Sequence, residues 1–202
     1  VPVAGPMDPR SHRLANALIG NEADAATIEV TLMGPEVEFE DERIVAVTGA
    51  DFEVSVDGRA MAVNAPFVVG AGSVLRVGHR RCGARAYLAV AGGIAVPPVL
   101  ESRATHVSSA MGGLDGRPLR AGDRLPLGKR GRESFRVASS ARKSGESGLF
   151  STPKMTPVPF FLLPDDGRVT VRILPGPQLD RFAPEALDAL QSARFIVDAA
   201  SN

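Results

Sequence analysis

The chain has 202 residues, of which 44% are hydrophobic and 23% are charged, a composition typical of one large globular domain or of one domain and part of another. Lys and Arg together number 23, as do Asp and Glu, so the formal net charge is zero and no electrostatic argument favours nucleic acid or an anionic membrane as a partner. Aromatic residues make up only 5%, which disfavours a surface on which the bases of single-stranded nucleic acid stack.

The single cysteine, Cys82, cannot form an internal disulfide, and the sequence contains no Cys/His cluster typical of a metal site. A reducing cytoplasm is therefore the expected compartment. The sequence has neither a run of about 18 apolar residues typical of a membrane span nor a recognisable signal peptide.

Residues 5–21, GPMDPRSHRLANALIGN, are predicted to form a capped helix. The Asp8 carboxylate can accept hydrogen bonds from the free N–H groups of the first turn, and Pro9 suits the first helical position because its missing N–H is not needed there. Gly20 and Asn21 can end the helix in a left-handed turn.

Capping does not explain the other polar residues of this helix. His12 and Asn16 are four residues apart and share a face, Arg10 and Arg13 are three apart, and an asparagine in mid-helix has no propensity advantage. The segment is therefore either a plain capped helix or a helix with one face at a functional site.

A β-rich region is predicted next. Residues 26–32 alternate, with Ile28, Val30 and Leu32 on one face, as in a half-buried strand. Further short runs rich in β-branched residues are predicted as strands at 36–41, 43–50, 52–58, 59–63, within 66–78, and at 84–93. Asp57-Gly58 predicts a hairpin turn, HRRCGAR (79–85) a polar turn, and 84–93 a strand buried on both faces. Closely spaced short strands indicate a sandwich or a closed barrel.

The remainder of the chain is different in character. Residues 128–168 are basic and rich in Ser, Gly and Pro, which predicts a linker or long excursion. Residues 169–177 are predicted as a strand and turn, 184–193 as a helix and 194–198 as a strand. Because the chain starts without Met and stops after a strand that would lack a neighbour, we expect a fragment of a longer polypeptide that needs its missing part to fold.

Two possible site motifs are weak on their own. The Gly-rich stretch 91–123 lacks the Lys and Ser/Thr of a phosphate loop. The three histidines His12, His79 and His106 do not adjoin a nucleophile elbow. From residue patterns alone, the interpretation ends at a β-rich domain with Gly-rich loops and a helix that carries Arg and Asn.

Eight motifs in order resemble the biotin-dependent carboxyltransferase family that includes allophanate hydrolase subunit 2, the C component of bacterial 5-oxoprolinase, a kinase-inhibitor antagonist and the corresponding part of urea carboxylase. They are GPMD (5–8), RLAN (13–16), GN (20–21), TGAD (48–51), ARAYLAVAGGI (84–94), VPPVLESRAT (96–105), GRPLRAGD (116–123) and VRILPGP (171–177). The chain departs from the family pattern at Ala4, where Ser is common, and at Glu101, where Gly is common.

The resemblance implies a mainly β, cyclophilin-like barrel with a few short helices. We expect residues 1–127 to form that domain, N-terminally incomplete, 128–168 the linker or excursion, and 169–202 the start of a second, similar half. It also implies a sister subunit like allophanate hydrolase subunit 1 or the B component of 5-oxoprolinase, and a third, ATP-using partner like the A component of that enzyme. No cofactor is assigned to this chain itself.

The implied activity is a subunit of a complex that hydrolyses the cyclic amide of 5-oxoproline to glutamate with ATP. The alternatives are a carboxyltransferase that uses biotin attached to a partner, and a non-catalytic regulatory binding module. Amide chemistry needs donors for a developing oxyanion and a cationic clamp. The expected residues are Arg13 and Arg103 as anion clamps, Asn16 and Asn21 as amide donors, Asp8 as an orienting carboxylate and Tyr87 as a phenolic donor.

Overall fold

The computed structural model describes residues 4–131 and 173–194. These fall into two compact units, within Val1–Lys154 and Met155–Asn202. The first unit contains helix α1 (Pro9–Leu18), a 3-10 helix at Val107–Ser109 and six strands: β1 (Ile28–Thr31), β2 (Glu36–Glu38), β3 (Arg43–Val56), β4 (Arg59–Ala60), β5 (Pro66–Val69) and β6 (Val74–Val90). The second contains a 3-10 helix at Leu179–Arg181 and helix α2 (Ala186–Ser192).

The six strands form one antiparallel sheet around two long central strands. β3 and β6 pair from Val45↔Val90 to Val56↔Leu75, with register irregularities between Gly49 and Val54. β1 and β2 pair with opposite ends of β6, and β5 and β4 pair with opposite ends of β3. Inner side chains from these strands share one apolar cluster, so the sheet surrounds a common core. The prediction of a mainly β fold with few short helices is confirmed.

The centre of the sheet is buried on both faces, as the apolar run at 84–93 predicts. On one face, Leu88 and Val90 join the main cluster. On the other face, Tyr87 and Ala89 pack with Ala15, Leu18 and Ile19 of helix α1 and its C-terminal end. The sheet is therefore covered by α1 on one side and folds around its own core on the other.

Helix α1 has the predicted caps. The Asp8 carboxylate accepts hydrogen bonds from the backbone N–H groups of Arg10 and Ser11, both at 3.1 Å, and Pro9 is the first helical residue. At the other end, Gly20 has a φ of 71°. The Gly20 N–H donates to the Ala17 carbonyl and the Asn21 N–H to the Asn16 carbonyl, which is the Schellman arrangement.

Several predicted boundaries are wrong because strand pairing overrides local turn signals. The predicted strands 43–50 and 52–58 are one strand, β3, with its irregularity near Gly49. The predicted turn 79–85 lies inside β6, where Cys82 pairs with Asp51. Leu32 lies outside β1, with a φ of 65° and an exposed side chain.

The return strand predicted at 59–63 extends only over Arg59–Ala60, after the confirmed Asp57-Gly58 turn. In the second unit, the helix predicted at 184–193 is confirmed as α2. Residues 173–177 contain no strand. The predicted excursion 128–168 lies outside the described residues apart from its first four positions. Residues 169–172 of the predicted strand and turn at 169–177, and all but the first residue of the strand predicted at 194–198, also lie outside them. No helix in the described ranges is long and apolar enough to cross a bilayer.

The side chain of Asn21 joins the end of α1 to the end of β6 through three hydrogen bonds, to Asn16 Oδ1, the Val90 carbonyl and the Gly92 N–H. We expect Asn21→Ala to lower the free energy of unfolding by roughly 2–4 kcal/mol, because partly buried backbone groups lose their partners. Urea denaturation measures this loss. Glu22→Ala, at the exposed neighbouring position, is the control and should change stability by less than about 0.5 kcal/mol.

Candidate functional site

A cleft of about 960 Å³ opens where α1, β1 and the loops after β6 meet. One wall carries His12, Thr27, Glu29 and Tyr87, and the opposite side is formed by residues of the stretch 94–125. We call this space the central cleft. A second hollow of about 890 Å³, the side hollow, shares His12 and Glu29 with it and is also lined by Arg13.

Tyr87 and Glu29 form the polar centre of the first wall. They are cross-strand partners in the β1–β6 ladder, so their side chains lie on the same face. The Tyr87 hydroxyl donates to Glu29 Oε2 at 2.9 Å and accepts from the Asp8 N–H at 2.7 Å. Burial of the phenol, together with the adjacent Glu29 carboxylate, raises the pKa of Tyr87 to about 12. Tyr87 is therefore a neutral phenol whose hydroxyl bonds to β1 on one side and to the start of α1 on the other.

Glu29 is held by several donors. It also accepts from the Met7 N–H at 3.0 Å and from Arg85 Nη1 at 3.4 Å. Arg85 in turn donates to Thr31 Oγ1. The carboxylate therefore ties the segment before α1 to the edge of the sheet.

His12 adjoins this network from α1. Its Nδ1 lies 3.0 Å from Thr27 Oγ1, and its ring meets the Tyr87 ring edge-on with centroids 6.0 Å apart. Burial lowers the pKa of His12 below its usual value, since the charged form loses solvation. The partners of His12 are Thr27, just before β1, and Tyr87 in β6. These contacts account for a histidine that helix capping does not explain.

Asp8 lies at the edge of the same wall. Partial burial of the carboxyl is outweighed by hydrogen bonds from Ser11 and Arg10, which lower the pKa of Asp8. Its carboxylate accepts from Ser11 Oγ as well as from the backbone, while its own N–H reaches Tyr87. Asp8 is thus a helix cap that also orients the phenol, and its predicted role in catalysis remains a prediction.

The two asparagines lie away from the cleft. Asn16 is fully buried and its Nδ2 donates to the Ala25 carbonyl at 2.8 Å, while its Oδ1 accepts from Asn21. Neither residue lines the central cleft or the side hollow. Their observed contacts fasten the end of α1 to β6, and the structure does not bring these amides into the cleft.

The two predicted anion clamps occupy different spaces. Arg103 lines the central cleft; its Nη1 donates to the Val96 carbonyl at 2.7 Å, and its other N–H groups have no partner within the described ranges. Arg13 is exposed on the side hollow and makes no hydrogen bond or ion pair with any described residue. Of the predicted set, the structure brings only Tyr87 and Arg103 to the central cleft.

The second arginine of the central cleft, Arg117, has a structural role. Its guanidinium forms a bidentate pair with Asp123, both N–O distances being 2.8 Å. That pair lowers the pKa of Asp123 and raises that of Arg117. Because Asp123 also accepts from the Arg120 N–H, the pair closes the loop 117–123 and leaves Arg103 as the less engaged cation of the two.

Sequence reasoning did not select Glu29 and Thr27 as site residues. The alternation in 26–32 places both residues on one face of a strand. Which strand pairs with it cannot be predicted from the neighbouring residues in the sequence. No group of three or more His, Cys, Asp or Glu residues suited to a metal ion occurs within residues 4–131 and 173–194.

The family model for the carboxyltransferase domain, subdomains A and B, matches residues 1–202. The chain belongs to this family. It is 36% identical to a urea amidolyase from Lachancea kluyveri, over all of this chain and 11% of that protein. It is 35% identical to the C component of 5-oxoprolinase from Escherichia coli, over 98% of this chain and 57% of that protein.

Solved structures agree with this assignment. The crystal structure of the K. lactis urea amidolyase matches 63% of this chain and 8% of that protein, with 43% identity and a TM-score of 0.62. The chain spans about a tenth of the urea amidolyases and somewhat more than half of the 5-oxoprolinase component. It is therefore similar to one segment of proteins that belong to enzyme systems.

The raised pKa of Tyr87 can be measured directly by absorbance, because Tyr87 is the only tyrosine and the chain has no tryptophan. Absorbance at alkaline pH should titrate with a midpoint near 12 rather than the usual 10.0. Glu29→Gln should lower that midpoint, because removing the carboxylate favours the phenolate. Glu53→Gln, an exposed carboxylate elsewhere on β3, should leave it unchanged. An equal shift in both variants would show that Glu29 has no specific effect on Tyr87.

His12 predicts a pH dependence of stability. Its pKa in the folded chain lies below the usual 6.5, so the unfolded chain binds the proton more tightly. The contribution of neutral His12 to the free energy of unfolding is present above the pKa of the unfolded chain. It is lost as the pH falls through the pKa of the folded chain. Urea denaturation between about pH 7.5 and 5 should therefore show a loss of stability that His12→Gln reduces. His79→Gln, at an exposed position, should behave like the wild type.

Proposed function

We propose that this chain is part of a subunit of an ATP-dependent amidohydrolase complex that opens the cyclic amide of 5-oxoproline to give glutamate. The observation that carries the proposal is a cleft with Arg103 available for an anion, in a chain aligned with 57% of the C component of E. coli 5-oxoprolinase. Its volume falls within the range of small-molecule sites.

In this proposal Arg103 binds the carboxylate of 5-oxoproline. Its Nη1 is fixed by the Val96 carbonyl, which orients the planar guanidinium while other N–H groups remain for the ligand. A fixed cation needs little reorganisation when the substrate arrives. Arg13, on the side hollow, is proposed to be a second contact for an anionic group.

The wall formed by Tyr87 and Glu29 is proposed to keep the cleft in shape. The phenol remains protonated at neutral pH because its pKa is raised, so its hydrogen bond to Glu29 persists. Asp8 contributes by aiming its N–H at the phenol oxygen. These residues position the cleft wall, while Arg103 contacts the substrate.

The reaction adds water across the lactam bond: the C–N bond breaks, oxygen adds to the carbonyl carbon, and the nitrogen becomes the amine of glutamate. We propose that an ATP-using partner like the A component of 5-oxoprolinase activates the amide. A sister subunit like the B component of 5-oxoprolinase, or like allophanate hydrolase subunit 1, is proposed to complete the site. The proposed compartment is the cytoplasm.

A carboxyltransferase is the second candidate, favoured by the 43% identity to the K. lactis urea amidolyase. Biotin, carried by another polypeptide, would supply the carboxyl group for transfer to urea or a related amide. The free N–H groups of Arg103 fit the ureido oxygen of biotin, since a cationic planar donor suits a carbonyl acceptor.

Reconstitution with the sister and ATP-using subunits separates the two candidates. Glutamate formation from 5-oxoproline coupled to ATP hydrolysis supports the amidohydrolase. Biotin-dependent carboxylation of urea without such coupling supports the second candidate and contradicts the first.

Arg103→Gln in the active complex should raise KM for the carboxylate-bearing substrate by roughly 10–100-fold, because a charge-assisted contact is lost. The effect on kcat should be smaller if the contact exists equally in ground and transition states. Arg59→Gln, an exposed arginine on β4 away from the cleft, is the control. Equal KM values for Arg103→Gln and Arg59→Gln would contradict the assigned role of Arg103.

A further inference from the structure

The turn Val99–Ser102 has an unusual backbone for its sequence. The Val99 N–H donates to the Ser102 carbonyl at 2.8 Å, and the Ser102 N–H donates to the Val99 carbonyl at 3.0 Å. The two central residues, Leu100 and Glu101, have φ angles of 49° and 64°. Such two-residue turns favour Asn and Gly, because a Cβ is disfavoured in the left-handed region. Here the chain holds Leu and Glu instead.

The surroundings fix this turn at the central cleft. Ser102 Oγ donates to the Ala4 carbonyl at 3.0 Å and accepts from the Ala104 N–H at 3.1 Å. The next residue, Arg103, is fastened to the Val96 carbonyl. The strained conformation is thus maintained by contacts on its C-terminal side, and strain of this kind is found where a side chain must be held in place.

Glu101 and Arg103 both line the central cleft, and only Ser102 separates them in the chain. Glu101 makes no hydrogen bond or ion pair within residues 4–131 and 173–194, Arg103 included. Two other carboxylates, Asp24 and Glu29, also line the central cleft. Glu29 is already occupied by Tyr87, Arg85 and the Met7 N–H. Asp24 also lines the side hollow and interacts electrostatically with His12, whereas Glu101 belongs to the turn that leads directly into Arg103. Glu101 is therefore the carboxylate best placed to act together with Arg103 on one ligand.

We propose that Glu101 is a specificity-determining residue that accepts a hydrogen bond from an amide N–H of the substrate while Arg103 binds its carboxylate or carbonyl oxygen. A carboxylate repels an anion and attracts an N–H donor, so the pair orients a ligand that carries both groups. A lactam acid such as 5-oxoproline carries both, and urea carries N–H donors and a carbonyl. This inference takes the substrate class from the proposed function, but it does not depend on whether the substrate is turned over.

The test uses the reconstituted complex and isothermal titration with two ligand pairs, 5-oxoproline against N-methyl-5-oxoproline and urea against N,N′-dimethylurea. The wild type should prefer the less methylated member of at least one pair by about tenfold or more, since hydrogen bonds to charged groups are strong. Glu101→Gln, which keeps the length of the side chain, should reduce that preference several-fold. Glu101→Gly should abolish it.

Stability measurements separate ligand selection from folding. Glu101→Gly should raise the midpoint of thermal unfolding, because glycine adopts the positive φ without strain. Loss of ligand preference in a more stable variant cannot be attributed to misfolding. Glu22→Gln, an exposed carboxylate outside both spaces, is the matched control and should retain the wild-type preference.

Each outcome bears on one proposal. Unchanged preference in both Glu101 variants overturns the role of Glu101, even if 5-oxoproline is turned over. Binding of 5-oxoproline with a Glu101-dependent preference but no ATP-coupled turnover supports Glu101 and contradicts the amidohydrolase. Failure of the wild type to bind any of the four ligands also overturns the role of Glu101, because an N–H acceptor in the cleft requires such binding.

Discussion

The antiparallel pairing of β3 with β6 is the constraint on which the other features depend. It places Val45, Val47 and Leu88 on the face of the main core, and Ala46, Tyr87 and Ala89 on the face that α1 covers. The first half of β3 and the last residues of β6, which pair with each other, are thereby buried on both sides. Residues 4–131 contain no layer of long helices, so these two strands supply most of the framework to which the short elements attach there.

The cleft wall follows from the same pairing. β6 fixes the position of Tyr87, and the β1 register places Glu29 directly opposite it. The phenol then joins Glu29 to the Asp8 N–H at the start of α1. One hydroxyl group therefore links a strand pair to a helix N-terminus, and His12 is set against its ring as a consequence. A shift of one residue in the β1–β6 register would move Glu29 to the opposite face and separate this network.

Charged and amide side chains with similar sequence contexts have different roles in the folded chain. Asn16 and Asn21 join α1 to β6, whereas Arg117 closes a loop with Asp123. Arg103 keeps donor capacity at the cleft because only one of its nitrogens has a described protein partner. This distinction depends on where acceptors lie in space. Residue type alone overestimates the number of groups available to a ligand, since buried polar groups are usually satisfied by the protein.

Local sequence patterns were sufficient to predict the features that depend on near neighbours in the chain. The caps of α1, the Asp57-Gly58 turn, the doubly buried run in β6 and helix α2 follow from hydrogen bonds or apolar periodicity within a few residues. The eight ordered motifs also sufficed to indicate the family. The continuation of β3 and β6 through segments that look like turns could be read only from the folded chain, because ladder hydrogen bonds outweigh local polarity there. Only the folded chain shows, too, that Tyr87 meets Glu29 and that Asn16 faces away from the cleft. Register and burial depend on residues far apart in the chain, so no local pattern contains them.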